Sequence, residues 1–195
     1  MFEKFARSYS VDRGLSVANA TLGKVYGSED FRDLFGKFGG CSFENGLYRI
    51  MREADVSLWN ARVIVGFPRF EGRIISFGYD WLGRVFAVDI KRFENNRPGV
   101  VMFEPGSGEA LDIPCNLGSF HDMELIRYRN AALAADFYRS WLAKGGKPPR
   151  HDECVGYKKP LFLTGKDAVD NLEMATIDVY WHLFGQLVRQ VKGIR

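Results

Sequence analysis

The chain has 195 residues, of which 46% are hydrophobic and 14% aromatic, and this length suits one large domain or two small, closely packed ones. Its 27 Lys and Arg against 24 Asp and Glu give a formal net charge of +3, which argues against the basic surface of a nucleic-acid-binding protein. No window approaches ~18 uninterrupted apolar residues, which excludes a membrane-spanning helix.

The cysteines indicate a reducing compartment. Cys41, Cys115 and Cys154 are widely spaced, odd in number and form no Cys-x-x-Cys pair. This usage is typical of small buried side chains in a cytosolic protein, not of a disulfide framework. The N-terminal residues lack the apolar stretch of a signal peptide. We therefore predict a soluble cytoplasmic protein.

Two helices are predicted ahead of the first strands. The first 27 residues are weakly patterned and predict an extended arm or short elements. Ser28 has the character of an N-cap, and Gly39-Gly40 supplies a C-cap. Between them, four residues fall on one helical face, namely Phe31, Leu34, Phe35 and Phe38. A second helix is predicted from about Glu53 to Val65.

Alternation and turn residues predict four antiparallel strands next. The strands are Arg73 to Tyr79, Arg84 to Ile90, Val100 to Glu104 and Glu109 to Ile113. Asp80 to Gly83 and Pro105 to Gly108 are turns, and Asn95 to Gly99 is a loop. Pro114 should end the last strand because proline cannot donate a ladder hydrogen bond. The strand from Arg84 has apolar residues on both faces, which predicts a hairpin covered on both sides.

The C-terminal part is predicted to be mostly helical. From Ser119 the apolar period changes from two to about 3.6, which predicts one long helix or two abutting helices ending near Leu142. Ser119 and Asp122 resemble a capping box. The remaining elements are an edge strand from Val155 to Leu163, a strand from Asn171 to Ile177, and a helix from Ile177 to Val191. The apolar face of that last helix is predicted from Val179, Leu183, Leu187 and Val191. The fold class is therefore α+β, with a small, mostly antiparallel sheet flanked by helices and a C-terminal helical part packed against it.

No residue cluster indicates a metal or cofactor site. His121, Asp122 and Glu124 lie at a predicted helix start, but no second His follows at a ligand spacing. His151-Asp-Glu-Cys154 contains four ligand types in adjacent positions, which rarely converge on one ion. The glycine-rich run from Pro105 to Glu109 joins two strands and lacks the features of a phosphate loop. The sequence thus predicts no metal and no cofactor.

Two sets of residues resemble known families. Phe38-Gly-Gly-Cys-Ser-Phe-Glu-Asn-Gly-Leu-Tyr48, the hairpin from Asp80 to Asp89 and Phe103-Glu-Pro-Gly-Ser-Gly-Glu109 resemble the GAD-like domain. Tyr128-Arg-Asn-Ala-Ala-Leu-Ala134, Glu153 to Tyr157, Pro160 to Leu163, Asn171-Leu-Glu173 and Val179-Tyr-Trp181 resemble the domain of unknown function usually paired with it. The resemblance implies a GAD-like α+β domain over residues 1–116 and a mostly helical domain over 117–195, packed as one unit.

Proteins with this pairing resemble the Tdi-like immunity proteins of the bacterial type VI secretion system and, distantly, the SUKH immunity superfamily. The resemblance implies a non-enzymatic cytoplasmic protein without catalytic residues. Its partner would be a cognate secreted toxin, commonly a DNase, which it binds and blocks. Direct binding to nucleic acid or to a membrane is not expected.

Inhibition of a nuclease by a chain of net charge +3 requires a local acidic patch or occlusion by shape. Candidate acidic residues around the hairpins are Asp80, Asp89, Glu104, Glu109 and Asp112, and those on the first predicted helix are Glu29, Asp30 and Asp33. A solvated face explains each of them at least as well. Because aromatic residues and arginine dominate binding hot spots, the predicted toxin-binding residues are Phe70, Asp80, Trp81, Arg84, Glu104 and Glu109. Trp81 could equally be a core residue.

Two other functions stay open at this point. A small-molecule- or peptide-binding module would show a deep pocket lined by aromatic rings with a few polar groups. A hydrolase would need one of the three cysteines beside a histidine.

Overall fold

The computed structural model describes residues 1–20, 28–191 and 193. Six strands form one antiparallel sheet whose order follows the chain: β1 (Ser42–Phe43), β2 (Tyr48–Ile50), β3 (Ile74–Asp80), β4 (Val85–Glu94), β5 (Arg97–Glu104) and β6 (Glu109–Asn116). A second antiparallel sheet pairs β7 (Glu153–Tyr157) with β8 (Leu172–Thr176). The large sheet is a meander, since each strand pairs with the next along the chain.

Helices surround these sheets. They are α1 (Glu3–Ser8), α2 (Glu29–Phe38), α3 (Val56–Gly66), α4 (Leu117–Ser119), α5 (Leu125–Arg127), α6 (Arg129–Leu133), α7 (Ala135–Ala143) and α8 (Ile177–Val191). The predicted α+β class is confirmed. The first 27 residues contain α1 and a bridge from Val11 to Phe43, while residues 21–27 lie outside the described part.

Both faces of the central hairpin are covered, as predicted. On one face, Phe77 and Phe86 pack against Phe120, with ring centroids 5.6 and 5.1 Å apart. On the other face, Tyr79 stacks on Trp59 of α3 at 4.8 Å. The first four residues of β4 are fully buried or nearly so. The sheet therefore lies between two apolar layers, which accounts for the continuous apolar run of β4.

Two strand boundaries differ from the prediction. Asn95 and Asn96 both have positive φ, 52° and 61°, and such residues form the two-residue turns that join hairpin strands. β5 therefore begins at Arg97 and no five-residue loop precedes it. β6 continues through Pro114 to Asn116. Because β6 is the edge strand, the missing N–H of the proline removes no bond to a further strand.

The segment after β6 is more broken than predicted. Its capping box joins Asn116 and Ser119: the Asn116 side chain accepts from the Ser119 N–H, and the Ser119 hydroxyl accepts from the Asn116 N–H. The predicted pairing of Ser119 with Asp122 is therefore wrong. A π-helical turn occupies Phe120–Glu124. Ala134 has φ 48° and separates α6 from α7. The strand predicted to reach Leu163 ends at Tyr157 instead, and residues 161–163 form a 3-10 turn after Pro160.

The apolar face predicted for α8 is also wrong. Val179 and Leu183 are 55% and 51% exposed. The buried residues are Ile177, Tyr180, Trp181, Phe184, Gly185 and Val188. Both sets have helical spacing, but the aromatic set buries far more area per residue and therefore occupies the core.

Glycine allows α8 to approach α3 closely. A Cβ added to Gly66 would lie 3.2 Å from the Cα of Gly185. We expect Gly66→Val to force the two helices apart and to lower the free energy of unfolding by about 1–3 kcal/mol. Urea unfolding would measure this. The matched control is Gly36→Val, where an added Cβ has nothing within 4 Å and the change should stay within about 0.5 kcal/mol. Equal losses in both variants would contradict a packing role for Gly66.

Candidate functional site

The turn from Asp80 to Arg84 is closed by its own first side chain. Asp80 Oδ1 accepts hydrogen bonds from the backbone N–H groups of Leu82 and Arg84, both at 3.0 Å. This is the local bonding that favours aspartate at the start of a turn. Gly83 has φ +74°, and an added Cβ there would lie 3.1 Å from the sulfur of Cys154. The turn thus requires both its aspartate and its glycine.

Three charged side chains are buried beside this turn. Arg84 Nε donates to Asp80 Oδ2 at 2.6 Å and lies 3.7 Å from Glu104 Oε2. Glu104 Oε1 accepts from the backbone of Gly106 at 3.1 Å. Burial, opposed by the Arg84 charge, raises the pKa of Asp80 and raises that of Glu104 to about 7. Two carboxylates therefore share one guanidinium away from solvent, and Glu104 is the one that can hold a proton near neutral pH.

The same turn holds the C-terminal part of the chain. The indole of Trp81, fully buried, donates to the Leu133 carbonyl at 3.0 Å. The backbone of Val155 donates to the Trp81 carbonyl at 2.7 Å, and Trp181 Nε1 donates to the Gly83 carbonyl at 2.8 Å. Strand β7, helix α8 and the end of α6 all meet the sheet here. The Asp80-Trp-Leu-Gly-Arg84 residues therefore have a structural role.

Most of the predicted toxin-binding residues are inside the protein. Asp80, Trp81 and Arg84 belong to the buried turn, and Glu104 of β5 is buried beside it. Phe70 packs edge-on against Phe103 at 4.8 Å. Glu109 alone of the predicted set is exposed. In this conformation a partner can touch Glu109 directly. The other five side chains can affect binding only through the shape of the fold.

The other acidic candidates are mostly ion-paired. Asp89 is buried against Arg73, and Asp33 lies 2.8 Å from Lys37 Nζ. Asp30 pairs with Arg97 at 2.6 Å. Asp112 is 62% exposed at its side chain and lies 3.4 Å from Arg92 Nε. Glu29 is exposed at the start of α2. The exposed carboxylates of the hairpin region are thus Glu109 and Asp112, both on β6.

A groove lies between α3 and α8, which the sequence pattern did not predict. It has a volume of about 470 Å³ and is lined by Leu58, Arg62, Val65, Asp178, Val179, Trp181, His182 and Leu183. The sequence contains a sign of it, since Val179 and Leu183 belong to an apolar helical stripe, although that pattern alone places the stripe in the core. Because the aromatic face of α8 takes the core, these aliphatic residues line an open groove. Such a surface can accept apolar side chains of a ligand or partner.

The structure gives no support to the hydrolase alternative. Burial raises the pKa of the Cys115 thiol to about 12 and also raises that of Cys154, which disfavours a reactive thiolate. His121 is fully buried, with Nε2 3.0 Å from the Tyr48 hydroxyl and Nδ1 2.9 Å from the Leu117 carbonyl. Burial lowers the pKa of His121 to about 4, despite the opposing effect of the Leu117 carbonyl.

The polar cluster of His121, Asp122 and Glu124 is divided between the core and the N-terminal helix. Asp122 accepts from the backbone of Phe5 at 3.0 Å, away from His121 in the core. Over residues 1–20, 28–191 and 193, no group of three or more His, Cys, Asp or Glu could hold a metal ion. No helix within the same residues is long and apolar enough to cross a membrane.

Part of the chain matches a known protein family. Residues 118–188 match the family model described as "T6SS immunity protein Tdi1, C-terminal". No curated protein matches the chain. The crystal structure of Atu4351 from Agrobacterium tumefaciens is similar to it with a TM-score of 0.59 and 11% identity, covering 95% of this chain and 89% of that chain. That likeness shows a shared fold. Over residues 118–188, the chain is thus similar to the C-terminal region of the Tdi1 immunity proteins of the type VI secretion system.

Proposed function

We propose that this protein neutralises a cognate type VI secretion toxin by binding to it, that the toxin is a DNase, and that binding covers its active site. The observation that carries this proposal is the family match over residues 118–188. Buried residues of that region, such as Leu133 and Trp181, belong to the same core cluster as Phe77 and Phe103 of the sheet. The whole chain can therefore act as one binding body. The GAD-like and SUKH-like features stay predictions.

Charge supports a nuclease as the target. A DNase presents cationic groups to the phosphate backbone, and an inhibitor that covers those groups needs carboxylates on its own surface. Glu109 and Asp112 supply exposed carboxylates on one strand. The cytoplasm is the proposed location, since Cys41, Cys115 and Cys154 are free thiols and such usage is typical of reducing compartments.

Co-expression tests the proposal. The toxin is first recovered from the native bacterium by pull-down with this protein as bait, and is then expressed alone or with it in a second bacterium. We expect the toxin alone to stop growth and the pair to restore it. Purified toxin should cleave plasmid DNA, and this protein should stop cleavage at about one molecule per toxin molecule. A pair that binds tightly but still cleaves DNA would contradict active-site occlusion.

A second candidate function rests on the α3–α8 groove. Its volume of about 470 Å³ and its largely apolar surface, to which Leu58, Val65, Val179 and Leu183 contribute, are typical of small-molecule and peptide sites. Native mass spectrometry of the purified protein would test this. A retained small molecule that is lost in Leu183→Glu would support a ligand-binding module, and a mass equal to that of the bare chain, with toxin neutralisation intact, would exclude it.

A further inference from the structure

We propose that the outer edge of β6 is the toxin-binding surface, and that the toxin contributes an extended segment rich in Lys and Arg, which pairs with β6 as a seventh strand. This inference rests on the proposed function and specifies its contact. Along an edge strand, the backbone N–H and C=O groups of every second residue point away from the sheet and are not bonded to a neighbouring strand. Such an edge is a template for a strand from another chain.

β6 has the geometry of an open edge. Within the described residues, β6 pairs with β5 on one side and with no strand on the other. It is eight residues long, and its residues from Glu109 to Pro114 are exposed or half-buried. Arg92 donates to the Ile113 carbonyl at 3.1 Å, and Pro114 has no N–H to offer. The segment open to a new strand is therefore residues 109–112, which is long enough for the core of a strand contact.

The sequence around β6 contains acidic residues and no Lys or Arg. No Lys or Arg occurs between Arg97 and Arg127, whereas five acidic residues do. They are Glu104, Glu109, Asp112, Asp122 and Glu124. Glu104 is buried and Glu109 is exposed at the β6 edge. The side chain of Asp112 is 62% exposed there and lies 3.4 Å from Arg92 Nε of β4. A chain of net charge +3 thus carries two exposed carboxylates on β6, one of them beside Arg92, and Glu109 in particular favours a cationic partner.

The same carboxylates disfavour a second copy of this chain as the occupant. In an antiparallel pairing of two β6 edges centred between Ala110 and Leu111, Glu109 of each copy would lie opposite Asp112 of the other. Like charges directly opposite each other destabilise a strand pair. Charged edges are a general protection of sheets against self-association. In this register the carboxylates of β6 therefore disfavour a second copy and favour a basic strand.

Charge reversal on β6 tests the inference. The probe is the purified toxin recovered by pull-down, made catalytically inactive, and its affinity is measured by calorimetry for wild type, Glu109→Lys, Asp112→Lys and the double variant. We expect each single change to weaken binding by roughly 10-fold and the double change by roughly 100-fold, with a smaller dependence on salt than in the wild type. The matched control is Glu173→Lys, an exposed glutamate on β8, which should leave the affinity unchanged.

Hydrogen exchange separates strand addition from simple charge contact. Toxin binding to the wild type should slow exchange of backbone amides within residues 109–112. Unchanged affinity in the double variant would overturn the inference, and so would protection of amides in the α3–α8 groove with none at β6. If this protein still neutralised the toxin in either case, the proposed function would stand. Weaker binding without protection of β6 would overturn strand addition. If no toxin is recovered, or growth is not restored, the proposed function fails and this inference falls with it. Thermal unfolding of each variant confirms that the fold is intact.

Discussion

Trp81→Ala should lower the free energy of unfolding by about 3–5 kcal/mol, since it removes a large, fully buried ring. The Trp81 ring packs against Tyr138 and Phe137, with centroids 4.8 and 5.6 Å away. Its loss leaves a cavity between the sheet and α7. It also leaves the Leu133 carbonyl, 3.0 Å from the indole nitrogen, without its donor. Urea unfolding followed by circular dichroism measures the change.

An exposed aromatic residue provides the control for this experiment. Phe93 is 62% exposed near the β4–β5 turn, and Phe93→Ala should change stability by no more than about 0.5 kcal/mol. If Trp81→Ala were as stable as Phe93→Ala but bound the toxin far more weakly, Trp81 would be a contact residue. The placement of this ring in the core would then be incorrect.

Glu104→Gln should stabilise the protein at pH 8 by about 3 kcal/mol and leave it unchanged near pH 4. Burial raises the pKa of Glu104 from 4.5 to about 7 in the folded protein. Between these two values the folded state holds a proton that the unfolded state has lost, so stability falls as the pH rises through this window. Glutamine keeps the acceptor for the Gly106 N–H but carries no charge. The variant therefore does not lose stability as the pH rises through this window.

His121 acts in the opposite direction. Burial lowers the pKa of His121 from 6.5 to about 4, so the unfolded state binds the proton first as the pH falls, and stability is lost between pH 6.5 and 4. In the wild type the two effects oppose each other over pH 4.5–6.5. In Glu104→Gln the contribution of Glu104 is removed, so it no longer opposes that of His121. Urea unfolding at pH 5, 6.5 and 8 should therefore show a flatter profile for the wild type than for the variant over pH 5–6.5. Parallel profiles would contradict the raised pKa of Glu104.

The large sheet could be predicted because its signals are local. Turn residues at Asp80 to Gly83 and Pro105 to Gly108, together with the alternation between them, locate β3, β4, β5 and β6 within a few residues. The face of α8 could not be predicted in the same way. Val179 and Leu183 have the same helical spacing as Tyr180 and Phe184, and only the packed structure determines which set meets the core.

The candidate site was harder to predict for a related reason. Trp, Phe and Arg are common in binding hot spots, but large rings and buried arginines also build interiors. Residue type alone therefore could not separate Trp81, which holds the core together, from Glu109, which faces solvent. The edge position of β6 depends on the pairing of strands that are far apart in the chain, which no local pattern contains.

The Asp80 to Arg84 turn has a consequence for how such proteins diversify. Residues 118–188 match a family, yet the donors and acceptors that anchor Leu133, Val155 and Trp181 come from the turn between β3 and β4. The start of the matched region, at residue 118, is therefore not the start of an independently folding unit. Recombination that exchanged the C-terminal region between relatives would succeed only where this turn was inherited with it or already matched it. Variation that keeps the fold is thus more accessible through substitutions on exposed edges and grooves than through exchange of whole segments.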